Sequence, residues 1–152
     1  MPKIPKLYFN RWSLFDEMIN ASDTARAFYE FGVWRGESFR YFMKSFSQGY
    51  GFDTFEGLPE DWHEIKSGAY SSEGKIPEVD GAEFIKGRFD ETLPDFLSVG
   101  RPMAGVINFD ADMCSSTICA LDNARSVIDT TTVLIFDEFL VNNDRGKDEI
   151  KL

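Results

Sequence analysis

The chain is short of cations, of sulfur and above all of histidine. Of its 152 residues one is His and two are Cys, and 16 Lys plus Arg stand against 26 Asp plus Glu, a net charge of -10. A protein that grips a nucleic-acid backbone carries the opposite sign, so neither DNA nor RNA is an expected partner. Cys114 and Cys119 sit five apart. That spacing suits neither a disulfide framework nor the paired CxxC knuckles of a structural zinc site, and two buried thiols are the expectation. The single histidine, His63, rules out an HExxH zinc site. A Ser-His-Asp or Cys-His arrangement would have to pass through this one residue, which lies in the loop-like text PEDWHEIKSG. Catalysis, where there is any, falls to carboxylates. No apolar run approaches the roughly 20 residues that span a bilayer. The opening MPKIPKLYFNRW also lacks the apolar stretch of a signal peptide, so a soluble, cytoplasmic protein with no membrane partner is expected.

What is present is one core's worth of apolar sequence, 43% of 152 residues, which points to a single domain over 1–152. Ser13 opens an amphipathic helix through Leu14, Phe15, Met18 and Ile19, with Asp16 three residues on as in a capping box. Ala27 to Trp34, AFYEFGVW, is a short apolar run ended by glycines, the pattern of a buried strand. Phe39, Phe42, Met43 and Phe46 then fall at helical spacing on one face. YGFDTF gives a second strand ending near Asp53, AEFIKGRF a third, AGVINFD a fourth and TTVLIFDEF a fifth. Between the third and fourth, ETLPDFLSV reads as a short helix with Pro94 in its first turn. The helix MCSSTICALDNARSVI puts Ile118, Leu121 and Ile128 on one face. Thr54 to Gly81 is a long segment rich in Gly, Pro, Ser and charge, the kind of loop that serves as a lid. The charged text 142–152 reads as the start of one more helix. Strands alternating with helices imply a parallel sheet covered on both faces, a doubly wound α/β domain whose ligand lies at the carboxyl ends of the strands.

Those strand ends carry polar chemistry. Gly32 and Gly36 after the first strand allow a sharp turn and close backbone approach, and the following helix start offers N–H groups to an anion. Asp53 follows Gly32 by 21 positions (53 minus 32), near the spacing at which an acid meets ribose hydroxyls. The fourth strand ends in Asp110-Ala111-Asp112 and the fifth in Asp137-Glu138. Carboxylates gathered on neighbouring strand ends repel unless a counter-charge neutralises them, and Mg²⁺, which prefers oxygen ligands, is one such counter-charge.

Several runs resemble a known family: EFGVWRGES, YGFDTFEGLPEDW, GAYSSEGKIPEV, KGRFDETLPDFL, FDADMCSST and VLIFDEF. They follow in order the motifs of class I S-adenosylmethionine-dependent methyltransferases. The group they are most similar to is the macrocin O-methyltransferase type, which acts on sugar hydroxyls of antibiotics. The resemblance covers Phe28 to about Lys151. It implies a Rossmann-like methyltransferase sheet, S-adenosylmethionine and Mg²⁺ as cofactors, and a small-molecule hydroxyl acceptor. Glu30, Gly32, Trp34, Gly36 and Ser38 match the first cofactor motif, and Asp53 matches the acid on the ribose. Arg88 and Phe89 fall in the loop that borders the adenine. Asp110, counted with the cofactor residues too, joins Asp137 and Glu138 as metal-binding acids, and Asp112 holds the position of the general base. Phe55 and Trp62 belong to the segment that closes over the site.

The chain departs from this pattern in two places. Cys114 stands where the family carries an aromatic residue, and such domains have seven strands where this text supplies five. With the last two absent, Val133 to Phe136 would form an apolar edge. That favours either a fragment of a longer reading frame or a reduced relative whose edge is covered by a partner, a homodimer being the simplest case. A non-catalytic nucleoside-binding or interaction domain on this fold is the competing reading. A nucleotide-dependent oxidoreductase is a weaker one, because the glycine pattern is not GxGxxG.

Overall fold

A computed structural model describes residues 6–58, 61 and 64–137. Trp62, His63, Glu138 and the segment 142–152 lie outside the described residues. The described strands are β1 (Ala27–Phe31), β2 (Gly49–Asp53), β3 (Ala82–Lys86), β4 (Ala104–Phe109) and β5 (Val133–Phe136). All pair in parallel, in the order β3-β2-β1-β4-β5. Helices α1 (Arg11–Ala21), α2 (Glu37–Phe42), α3 (Phe89–Ser98) and α4 (Cys114–Ala124) cover the two faces of this Rossmann-like sheet.

Every residue of β1 and β4 is buried, as expected of central parallel strands whose side chains alternate between two covered faces. Phe28 and Val106 point toward α1 and α2, where Phe15, Phe39 and Phe42 pack on them. Tyr29, Phe31 and Ile107 point the other way, toward Leu93, Phe96 and Ala120 of α3 and α4. Four rings stack across this second face at the carboxyl ends of the strands. Phe52, Phe31, Phe109 and Phe136 stand with successive centroids 4.9, 5.3 and 4.9 Å apart. This in-register aromatic row stiffens the rim on which the polar residues sit.

The structure corrects several local expectations. Helix α1 begins before Ser13: Asn10 is its cap, and the Asn10 side chain accepts from the Ser13 N–H at 2.9 Å. Helix α2 is only six residues long, yet the Phe46 N–H still bonds the Phe42 carbonyl at 3.2 Å, which brings the Phe46 ring onto the core beyond the helix end. Pro94 is the sixth residue of α3, which starts at Phe89, and it is exposed, so its missing N–H and its ring are carried on the solvent side. The buried face of α4 consists of Thr117, Ala120 and Ala124. Ile118 is exposed, and Cys114 and Cys119, on the flanks of that face, are half-buried. Small residues let α4 approach the sheet closely, a preference that counting large apolar side chains overlooks.

Candidate functional site

Strand order reverses beside β1. The chain leaves β1 through α2 to reach β2 on one side, and it crosses through α3 to reach β4 on the other. The loops above β1 and β4 therefore diverge and open a crevice. A cavity of about 600 Å³ occupies this place, a size ordinary for a small-molecule or cofactor site.

Gly32 forms the base of the crevice. Its φ is +94°, and a Cβ built there would stand 2.0 Å from the Asp110 carbonyl oxygen, so the ends of β1 and β4 touch through bare backbone. The Gly32 N–H bonds the Phe52 carbonyl at 2.9 Å and the Asp110 N–H the Phe31 carbonyl at 2.8 Å, extending the sheet ladder to the rim. Asp53 binds the next turn. One carboxylate oxygen accepts from the backbone N–H groups of Val33 and Trp34, both at 2.7 Å, and the other accepts from Phe55 at 2.8 Å. Of the roughly four lone-pair sites on a carboxylate, three are thus engaged and one is left for a ligand hydroxyl.

The long loop folds back over one side of the crevice. Leu58 and Ala69 are joined by a 2.8 Å backbone bond, and Leu58 packs with Met113 at the head of α4. The Trp34 indole N–H donates to the Ser71 carbonyl at 3.3 Å, and its ring meets Tyr70 edge-on at 6.0 Å. Trp34, Tyr70 and Asp112 all line the cavity with positive φ values of 52°, 57° and 59°. Such left-handed conformations cost free energy in non-glycine residues and are known to gather at ligand sites.

The residues expected to form a site are divided by the structure. Gly32, Trp34, Ser38, Asp53, Asp110 and Asp112 share the cavity wall, as do Arg88, Phe89 and Asp137. Arg88 caps α3 and pairs with Asp90 at 3.1 Å, and Phe89 stands edge-on to Phe31. Glu30 and Gly36 are not on the wall. Gly36 packs against Pro77 of the long loop. Glu30 is fully buried beneath the crevice, where one carboxyl oxygen accepts from the Asn108 amide at 2.8 Å. Among the described residues its second oxygen has no hydrogen-bond partner. The alternation of β1 already points to this place, since Glu30 shares a face with Phe28.

Burial raises the Glu30 carboxyl from its ordinary 4.5 to about 8, against the bond from Asn108 and with help from the charge of Asp110. Between those two values the unfolded chain has lost the proton that the folded protein keeps. Unfolding then releases a proton, and stability falls as pH rises from about 4.5 to about 8. Thermal melts of Glu30→Gln should show a flatter profile over this window than wild type. Parallel profiles would contradict the assignment. Some slope persists in the variant, because burial and the neighbouring Asp137 also raise Asp110.

Asp110 and Asp137 do converge, as their strand ends suggest, but an arginine holds them. The Arg11 Nη2 lies 2.9 Å from an Asp110 oxygen and 3.1 Å from an Asp137 oxygen. Burial would lower the guanidinium pKa, yet the two acids outweigh it and raise it, so the group is cationic throughout. Sequence reasoning missed Arg11. It opens α1, whose first turn contains no acid, and a cation at a helix N-terminus opposes the helix dipole. That misplaced charge was the available signal. Among the described residues no group of three or more His, Cys, Asp or Glu side chains is arranged to hold a metal, and no helix is long and apolar enough to cross a membrane.

No protein-family model matches the sequence, and no curated protein does. Solved structures do share the fold. A crystal structure of CalS11, a calicheamicin methyltransferase, superposes with a TM-score of 0.76 at 18% identity, covering 93% of this chain and 68% of that one. The apo structure of CalS11, described as a TDP-rhamnose 3'-O-methyltransferase of calicheamicin biosynthesis, gives 0.67 at 20% identity, with 92% and 67% covered. At such identity the likeness is one of fold.

Proposed function

We propose that the chain is an S-adenosylmethionine-dependent O-methyltransferase acting on a hydroxyl of a sugar or another small molecule. The observation that carries this reading is the switch-point cavity, where a bare glycine turn, a backbone-bonded Asp53 and a row of acids face one space. The shared fold with CalS11, itself described as acting on TDP-rhamnose, supports it, as does the resemblance to methyltransferases of the macrocin type.

The cofactor would supply an activated methyl group. The chain's own residues have the remaining tasks: to place the two reactants in line and to make the acceptor oxygen more nucleophilic. The turn from Gly32 to Ser38 takes the methionine part of the cofactor, and the open lone pair of Asp53 takes a ribose hydroxyl. Arg88 and Phe89 border the base. Asp112, which lines the same cavity in the loop after β4, is the group to receive the acceptor proton. The acidic wall suits a sulfonium cation.

A divalent cation, implied by the resemblance, does not fit the described residues as they stand. Asp110 and Asp137 are engaged with Arg11, and Glu138 lies outside the described residues. No step is assigned to a metal.

Incubation with methyl-labelled S-adenosylmethionine and a panel of hydroxylated sugars and phenols should transfer label to an acceptor oxygen. Binding of S-adenosylhomocysteine without transfer to any acceptor would favour the non-catalytic domain. A thermal shift with NAD but none with S-adenosylhomocysteine would overturn the methyltransferase reading altogether.

A further inference from the structure

We propose that a second cavity, on the outer side of the long loop, binds a phosphoryl group through Arg35, Arg40 and Lys75. The site stands on geometry and charge and does not depend on the methyltransferase reading. The cavity measures about 590 Å³ and lies between the turn after β1 and residues 71–78. Its charge is the reverse of the crevice's. Six acidic side chains and two arginines line the crevice, whereas three cations and two acids, Glu73 and Glu78, line this cavity. In a chain of net charge -10 a local reversal of sign favours an anionic ligand here. Among the described residues neither Arg35 nor Arg40 is in an ion pair. Lys75 meets Glu73 at 3.2 Å, but both side chains are exposed, so the pair is weak and the ammonium can turn to another anion.

Two pairs of neighbouring residues serve opposite cavities. Trp34 and Tyr70 line the crevice, and Arg35 and Ser71, next to them in sequence, line the second cavity. The partition is held by the Trp34 indole N–H on the Ser71 carbonyl at 3.3 Å and by the edge contact of Trp34 with Tyr70. The Arg35 guanidinium lies 4.8 Å from the centre of the Trp34 ring, and this stacking orients its planar fork. The base of the cavity is fixed as well. Arg40 Nη1 donates to the Arg35 and Gly36 carbonyls at 2.9 and 3.4 Å, and a Cβ on Gly36 would stand 2.9 Å from Pro77 Cγ. Guanidinium groups bind phosphoryl oxygens through paired N–H donors, and three cations suit a dianion better than a singly charged carboxylate. The phosphoryl group arrives either as a free anion or on a small molecule whose other end reaches past the partition; the chemistry at the three cations is the same.

The test is a calorimetric titration of the full chain with inorganic pyrophosphate, at about pH 8 and low salt, as wild type, Arg35→Gln, Lys75→Gln and Arg125→Gln. Wild type should saturate, and the Arg35 and Lys75 variants should each bind roughly fivefold or more weakly. Arg125, at the far end of α4, is an exposed cation outside the cavity, and its variant should match wild type. No saturation up to about 10 mM, or one affinity for all four proteins, overturns the site. Lys75 is exposed, so its variant decides the matter where Arg35→Gln does not fold. Saturating S-adenosylhomocysteine should leave pyrophosphate bound; displacement puts the anion in the crevice and overturns the site. A protein that binds pyrophosphate but not S-adenosylhomocysteine keeps the site and removes the methyltransferase reading. Glucose 1-phosphate and inorganic phosphate then separate the two sources. Tighter binding of the sugar phosphate, weakened in Lys75→Gln, assigns the site to a phosphorylated small molecule, and equal or weaker binding assigns it to the free anion.

Discussion

Gly32→Ala should be the most damaging single substitution in the crevice. The added Cβ would meet the Asp110 carbonyl oxygen at 2.0 Å and its carbon at 2.6 Å, both backbone atoms of the adjoining strand end, at a φ of +94° that side chains rarely adopt. Nothing nearby can yield like the tip of a flexible side chain. Overpacking costs about 1–3 kcal/mol and left-handed backbone roughly another 1–2. The expected loss is therefore about 2–5 kcal/mol in urea unfolding, reaching the upper end for point substitutions. Gly100→Ala is the matched control, since a Cβ at Gly100 meets nothing within 4 Å and its φ is not positive; it should stay within about 0.5 kcal/mol of wild type. A cost below about 1 kcal/mol at Gly32 would show that the two strand ends do not approach as described.

Asp53→Ala should follow closely, and it acts on binding as well as on stability. It strips acceptors from three backbone N–H groups at once, those of Val33, Trp34 and Phe55. Hydrogen bonds to a charged group are worth about 1.5–3 kcal/mol each, but the three share one carboxylate and do not add, so a loss of about 3 kcal/mol is the reasonable scale. The turn that Asp53 holds is the one that would carry the cofactor. Calorimetric titration with S-adenosylhomocysteine should show at least a tenfold fall in affinity, about 1.4 kcal/mol. Asp53→Asn should recover part of this, because one amide oxygen can still serve Val33 and Trp34 while the amide nitrogen faces the Phe55 N–H as a second donor. Unchanged affinity in Asp53→Ala would remove Asp53 from the site.

The strands were readable from the sequence because central parallel strands must be apolar on both faces, and AFYEF and AGVINF are buried throughout. Strand ends were readable for a related reason: a glycine or an acid is where an apolar run stops. The convergence of Asp110 and Asp137 followed from topology alone. What occupies the space between them did not, because Arg11 lies 99 and 126 positions away and meets them only once α1 is docked. Asp53 illustrates a second limit. Spacing placed it at the right strand end but could not reveal that its oxygens are largely taken by the turn after β1. Glu30 matches the cofactor motif by resemblance, and the period of two in β1 places it on the packed face beneath the crevice. The extent of α2 and the close-packed face of α4 depend on small residues and on backbone bonds that hydrophobic periodicity does not report.

The proposed methyl transfer requires one crevice, between the ends of β1 and β4, to hold a nucleoside cofactor. A crystal structure with S-adenosylhomocysteine tests this directly. The predicted result is density for the amino-acid part along Gly32 to Ser38, the ribose at Asp53 and the base beside Phe89. Density seated elsewhere on the sheet, or none at millimolar ligand, would contradict it.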